Sequence, residues 1–149
     1  MVVKDPNMVN FSYRDNLWHG ADLLATGIAS FGHANGVHYQ NLADLEKYLG
    51  TVESGQLPLG RGFVPSKHQQ LVREMILLLK RGYLDAGYFR DKFGIEITQQ
   101  FSEQWKQHIE DGYVEIDGDT IRLTGKGLLT VDGLLPAFFE PEFQGVRYT

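Results

Sequence analysis

Two histidines, His33 and His38, stand five residues apart in a segment that also holds Asn35 and Gly36. Imidazole nitrogens can bind a metal or the iron of heme. Two ligands do not make a site, however, and no third histidine or carboxylate stands nearby at helical or hairpin spacing, so ordinary loop histidines are the competing reading. His19, His68 and His108 read as surface residues. Ser12, Ser30, Ser54, Ser66 and Ser102 lack a Gly-x-Ser-x-Gly elbow, and no serine, histidine and aspartate constellation follows from spacing. Gly60-Arg61-Gly62 lacks the lysine and the helix that make a phosphate loop. Asp117 and Asp119 are close enough to be a carboxylate pair, but as turn residues around Gly118 they are already explained. The remaining candidate is Gly27-Ile28-Ala29-Ser30-Phe31-Gly32. Small residues there either let the backbone approach a ligand closely or simply let the chain turn.

The chain that must position these residues has 149 amino acids, 42% apolar and 22% charged, which suits one soluble domain with a real core. No apolar run approaches the ~18 residues of a membrane span, so no membrane insertion is expected. Met1 to Pro6 does not open a secretory signal, which makes the cytoplasm the expected setting. The absence of cysteine excludes disulfides, thiolate zinc sites, cysteine-held iron–sulfur clusters and a cysteine nucleophile within this chain.

Phe101 to Asp132 reads as one physical unit. Phe101, Trp105 and Ile109 recur every four residues on a helix that stops at Asp111-Gly112. Tyr113 to Ile116 and Thr120 to Leu123 then alternate apolar with polar around Asp117-Gly118-Asp119, the pattern of a tight hairpin. Leu123-Thr124-Gly125-Lys126-Gly127 opens another apolar segment. Upstream, Leu71, Val72, Met75, Ile76, Leu78 and Leu79 form the face of a helix that Ser66 could cap and Gly82 or Gly87 could end, and Ala86 to Phe93 fits a second helix. This order predicts an α+β fold with a winged-helix-like C-terminal domain.

A winged helix raises nucleic acid, and the charge argues against it. The net charge is −5, Lys106 faces Glu96, Glu103, Glu110 and Asp111, and the expected wing tip carries Asp117 and Asp119. Gln99, Gln100, Gln104 and Gln107 are more simply solvated. The tail Leu134 to Pro141 sets Phe138 and Phe139 between prolines, so these rings must pack back on the domain or reach a partner.

The first part of the chain is less regular. Gly55, Pro58, Gly60, Gly62 and Pro65 suggest a linker too broken for a paired strand, dividing the chain into 1–60 and 61–149. Asn41 is a candidate N-cap for a short helix through Leu42, Leu45, Tyr48 and Leu49, closed by Gly50 or Gly55. Asp22 to Ile28 reads as a nearly all-apolar strand of the kind covered on both faces in a parallel sheet. Either it pairs with Phe11 to Trp18, or its proper sheet is missing. Residues before about Asn41 are then expected to be poorly packed or to lean on another chain. Tyr13 and Trp18 are expected in core or hairpin packing.

Ala21 to His33, Tyr39-Gln40-Asn41, Leu45 to Leu49 and the closing Leu-Thr-x-Lys-Gly at Leu123 to Gly127, in this order, resemble the end of the catalytic barrel and the C-terminal domain of oxygen-independent coproporphyrinogen III oxidase and its relatives. The resemblance runs from about residue 11 to the end. It implies a strand and short helix left over from a partial (β/α) barrel, followed by a cap domain that covers the barrel mouth.

The resemblance further implies a parent enzyme of tetrapyrrole metabolism, with a 4Fe-4S cluster held by three cysteines and S-adenosylmethionine as radical source. That enzyme decarboxylates propionate side chains of a porphyrinogen. This chain lacks those cysteines, so no cofactor is expected to be held by it alone and its partner would be the catalytic barrel portion. A heme chaperone and anaerobic heme-degrading enzymes share the architecture. By the same resemblance Gly27, Ala29, Ser30, Phe31 and Gly32 fall on the strand end that lies against cofactor and substrate, although Ala25 stands where relatives often carry glycine. The alternative from another class is a free-standing winged-helix interaction or DNA-binding module.

Overall fold

The computed structural model describes residues 11–143; Met1 to Pro6, the segment judged for a secretory signal, lies outside them. The chain forms two compact units, Met1–Ser66 and Lys67–Thr149. Helices and strands are mixed in both, an α+β arrangement, and no described helix is long and apolar enough to cross a membrane.

The first unit contains α1 (Ser12–Trp18), β1 (Phe31–Ala34), β2 (Val37–Asn41), α2 (Leu45–Glu53) and β3 (Leu59–Phe63). Its strands form an antiparallel sheet in the order β1-β2-β3. Several expectations are corrected in this unit. Phe11 to Trp18 is no strand partner, because Ser12–Trp18 is helical. Asp22 to Ile28 is not a strand either: only Leu23 pairs, exchanging backbone hydrogen bonds of 2.6 and 2.9 Å with His33. Gly27 at φ 96° and Ala29 at φ 54° turn the chain out of any extended course.

The supposed linker holds β3, paired with β2 across a register shift between Gln40 and Asn41. Its glycines admit rather than prevent the pairing, since a Cβ on Gly60 would come within 3.3 Å of the Gln40 carbonyl and the Leu42 backbone. Asn41 does not cap α2. Asp44 does, its carboxylate accepting the Lys47 amide at 2.9 Å, and Gly55 at φ 75° follows the helix end while Gly50 lies inside it. Tyr13, expected in packing, is exposed, whereas Trp18 is half-buried under the Arg14 guanidinium.

His33 and His38 are strand residues rather than loop residues. Asn35 and Gly36, at φ 49° and 77°, make the two-residue turn of a hairpin that sets the two imidazoles opposite each other, ring centroids 4.4 Å apart.

The second unit contains α3 (Lys67–Leu79), β4 (Tyr83–Asp85), α4 (Ala86–Phe93), α5 (Ile97–Gln100), α6 (Ser102–Glu110), β5 (Val114–Asp117), β6 (Thr120–Leu123), α7 (Gly125–Leu129) and α8 (Val131–Leu134), then short 3-10 turns at Leu135–Phe138 and Pro141–Phe143. The anticipated hairpin is β5 and β6, with Gly118 at φ 56° in its turn, and β4 adds an unanticipated strand on the β6 side. Helix α4 starts at Asp85, whose carboxylate accepts the Gly87 amide, and ends at left-handed Gly94. The chain leaves α3 through Gly82 at φ 98°.

Leu71, Met75 and Leu79 from α3 meet Phe89, Ile97, Trp105 and Ile121 in a closed core, where the Trp105 indole N–H donates to the Ile97 carbonyl at 3.0 Å. At ~25 cal/mol per Å² of apolar area removed from water, side chains of this size contribute about 1.5–3 kcal/mol each.

Two readings of α6 change. Ile109 is exposed and His108, expected at the surface, is buried. Positions 101, 105 and 108 share one stripe at 3.6 residues per turn, and Ile109 lies about 100° further round. Phe138 closes over this stripe, its ring 5.6 Å from Phe101, 4.5 Å from Trp105 and 5.6 Å from His108. The tail therefore packs on its own unit.

Candidate functional site

The candidate residues fall on a turn held from outside by side chains of β2 and α2. The Ala25 amide donates to the Tyr39 hydroxyl at 2.9 Å, and the Gly27 amide to the Tyr48 hydroxyl at 3.1 Å. The Asn41 side-chain amide donates to the Gly27 carbonyl at 3.0 Å and to that of Ala25 at 3.4 Å, while Gln40 donates to the Ala29 carbonyl at 2.9 Å. Backbone bonds from Ala29 to Leu42 and from Asn41 to Ser30, both 2.9 Å, complete the attachment. Asn41 is buried, and this explains why its side chain is unavailable as a helix cap.

Each hydrogen bond of this kind contributes about 1 kcal/mol net, so together they outweigh the strain of one non-glycine residue in the left-handed region, about 1–3 kcal/mol at Ala29. The turn is thereby set before any ligand arrives.

Gly27, Ala29 and Ser30 are brought together in this turn. Ser30 is no free nucleophile, because its hydroxyl donates to the Thr26 carbonyl at 2.7 Å. Gly32 has a structural reason for being glycine: a Cβ there would collide with the Tyr39 ring. Phe31, 66% exposed, belongs to the opposite sheet face from Gly32. The five candidates thus divide between a clasped turn and the start of β1.

An open, largely apolar cleft of about 790 Å³ lies beside the turn, with Leu24, Tyr39, Tyr48 and Leu57 among its walls. Backbone amides and carbonyls, apolar surface, and Thr26, Asn41 and Arg61 among the lining residues are what this region offers. It can hold and orient a ligand, and it supplies no acid, base or nucleophile pair. Among the described residues no group of three or more histidines and carboxylates gathers as a metal site.

The clasping residues Tyr39, Gln40, Asn41 and Tyr48 were not singled out as site residues from the sequence. A signal existed. Asn35-Gly36 announces a two-residue hairpin turn, which places Tyr39 and Asn41 on one face of the returning strand, two residues apart.

Residues 66–130 match the family described as the HemN C-terminal domain. The oxygen-independent coproporphyrinogen III oxidase of Pseudomonas aeruginosa is 26% identical over 125 residues, covering 80% of this chain and 27% of that protein. The enzyme of the same name from Helicobacter pylori is 26% identical over 119 residues, 77% of this chain and 26% of that one. A solved structure of coproporphyrinogen III oxidase (HemN) from Escherichia coli, described as a radical SAM enzyme, shares the fold with a TM-score of 0.68 at 24% identity, over 79% of this chain and 28% of that one. The chain spans about a quarter of the length of the curated relatives it matches. The chain is similar, over about four fifths of its length, to a part of oxygen-independent coproporphyrinogen III oxidases, and its residues 66–130 match the C-terminal domain described for HemN.

Proposed function

We propose that this chain acts as the C-terminal, cofactor- and substrate-covering portion of an oxygen-independent coproporphyrinogen III oxidase-like radical SAM enzyme in the cytoplasm. One observation carries the reading: the similarity to the Pseudomonas aeruginosa enzyme extends over 125 residues, more than either unit holds, so it takes in parts of both units.

In this reading the C-terminal domain, expected from residue 61 and compact from Lys67, is a winged-helix-like cap. Helix α3, strand β4, helices α4 and α6 and the β5–β6 wing follow one another in that order. The cap keeps water from a radical intermediate and helps hold a large tetrapyrrole. Gly27, Ala29, Ser30, Phe31 and Gly32 form the edge presented to cofactor and substrate, with Tyr39, Asn41 and Tyr48 keeping the turn in place.

A 4Fe-4S cluster does not fit the donors of this chain, which has no cysteine, and its ligands belong to the catalytic barrel partner. S-adenosylmethionine, bound in the assembled enzyme, supplies the radical chemistry. The contribution of this chain is surface, orientation and exclusion of solvent. Within the same family, heme carriage or heme breakdown remains the alternative outcome.

The test is assembly. The part of the Pseudomonas aeruginosa relative that precedes its matched region is co-expressed with this chain under anaerobic conditions. Co-purification and recovery of coproporphyrinogen III decarboxylation are expected; separate elution of the two pieces with no turnover would refute the reading.

A further inference from the structure

The first unit has a second sheet face, away from Gly32 and Tyr39. Residues directly opposite one another on neighbouring strands share a face. Phe31 lies opposite Gln40, and Gln40 opposite Arg61; in the next row stand His33, His38 and Phe63. Two contacts fix the common side: the Arg61 Nε–H donates to the Gln40 side-chain oxygen at 2.7 Å, and the two imidazole rings pack together.

Gln40 works in both directions. Its oxygen receives Arg61 while its amide donates to the carbonyl of Ala29, so the guanidinium is tied through one side chain to the clasped turn. Only Nε is used in this way. The terminal N–H groups of Arg61 meet no carboxylate among the described residues, and Arg61 is exposed. Phe31 is 66% and Phe63 50% exposed. They belong to the two outer strands, about 10 Å apart at ordinary strand spacing. A chain of net charge −5 thus displays one oriented, unneutralised cation on the sheet face that also carries Phe63 on the same strand and Phe31 across the sheet.

A guanidinium held at Nε still offers a planar pair of donors, the geometry that takes a carboxylate through two parallel hydrogen bonds. Aromatic rings on that face suit a flat apolar frame. We infer that Arg61 is a specificity residue, binding a side-chain carboxylate of the tetrapyrrole while Phe31 and Phe63 cover its apolar frame. This inference rests on the functional reading above and adds to it a residue on β3, outside the small-residue turn.

The experiment titrates the full chain with coproporphyrin III, a stable tetracarboxylate, and with its tetramethyl ester, following porphyrin fluorescence. Saturable binding of the acid is expected, weakened about tenfold or more in Arg61→Gln, as for loss of a charge-assisted hydrogen bond, and partly kept in Arg61→Lys. The ester should bind wild type and Arg61→Gln alike. Phe63→Ala, with Arg61 intact, should weaken acid and ester equally, and it keeps the test decisive if an Arg61 variant unfolds.

Equal binding of the acid by wild type and Arg61→Gln overturns the inference, as does ester binding as tight as the acid or no saturable binding to the wild-type chain. None of these results touches assembly with the catalytic portion. Failed assembly alongside Arg61-dependent porphyrin binding removes the functional reading alone.

Discussion

The carbonyl of Tyr113 lies against the backbone of Gly127 so closely that no Cβ fits between them. Four members of Leu123 to Gly127, all but Gly125, make contacts at this junction. Leu123 enters the core, and Thr124 accepts the Gly127 amide at 3.1 Å while its hydroxyl donates to the Gly112 carbonyl at 2.8 Å. Lys126 donates to the Asp111 carbonyl at 2.8 Å and lies 4.3 Å from the centre of the Tyr113 ring. The segment latches the end of α6 to the start of β5. Gly127→Ala should destabilise the chain by about 2–3 kcal/mol, because the obstacle is backbone and cannot swing aside. Gly125→Ala, with open space at its Cβ, should be neutral or slightly stabilising. Urea unfolding of both variants checks this; equal midpoints would mean the junction is slack.

Glu74 is buried on α3 and receives two donors from α4, the Lys92 ammonium at 2.8 Å and the Tyr88 hydroxyl at 2.6 Å. Removing the cation leaves a buried carboxylate with one neutral donor. Lys92→Met should cost about 2 kcal/mol, below the usual figure for a broken buried pair because Lys92 is itself partly exposed to solvent. The same surroundings hold the Tyr88 hydroxyl well above the ordinary tyrosine range, chiefly through burial and then through its bond to Glu74. A group with a raised folded pKa adds stability below its unfolded pKa of 10.0 and loses it as pH climbs further. Tyr88→Phe should therefore flatten the fall in stability above that pH, measured by denaturant midpoints across the alkaline range.

Legibility followed the range of the interactions that define each element. Ala86 to Phe93 was readable because both its caps, Asp85 and Gly94, are local, and the β5–β6 hairpin because its alternation and Gly118 are local too. Asp22 to Ile28 misled because its apolar composition suits a buried strand, while the clasp that bends it comes from Tyr39, Asn41 and Tyr48 further along the chain. Gly60 and Gly62 looked like breakers, yet one of them admits a close strand approach. His108 looked like a surface residue because Phe138, which buries it, arrives a whole hairpin later. The turn of the candidate site was visible as small residues. Its support was signalled only through the Asn35-Gly36 turn that returns Tyr39 and Asn41 to it.

The burial of His108 predicts that the second unit loses stability in acid. The His108 pKa is lowered from the ordinary 6.5, first by burial, against the opposing hydrogen bond to Leu134 and the charge of Asp111. His108 is 7% exposed and its Nε2 has no partner among the described residues. Around it stand Phe138 and Tyr113, with Lys126 bonded to the Asp111 backbone rather than to the imidazole. Because the unfolded chain takes up the proton first, the stability from neutral His108 is present above pH 6.5 and declines as pH falls through the lower folded value. His108→Leu should match the wild type or exceed it at pH 5, and its stability should vary less between pH 7 and 5. An NMR titration of the wild-type imidazole reads the shift directly; a midpoint at or above the ordinary value would contradict the burial argument.

The clasp on the candidate turn yields the sharpest expectation for the site itself. The Gly27 amide ends on the Tyr48 hydroxyl, and the Gly27 carbonyl receives the buried Asn41 side chain. Tyr48→Phe removes one acceptor and leaves the ring, so the loss is that of a single hydrogen bond, about 1 kcal/mol. If the turn opens locally, Gly27 amide exchange should quicken by roughly tenfold at most, with no change in the exchange of β5 and β6. Asn41→Leu strips the donor from two carbonyls at a buried position and should act more strongly, raising exchange at Ala25 and Gly27 together. The ordering matters more than the sizes. If Ala29 is held in its left-handed conformation by these side chains, Asn41→Leu must loosen it more than Tyr48→Phe; if both leave amide exchange across the turn unchanged, the backbone pairing of Leu23 with His33 suffices and the clasp positions nothing.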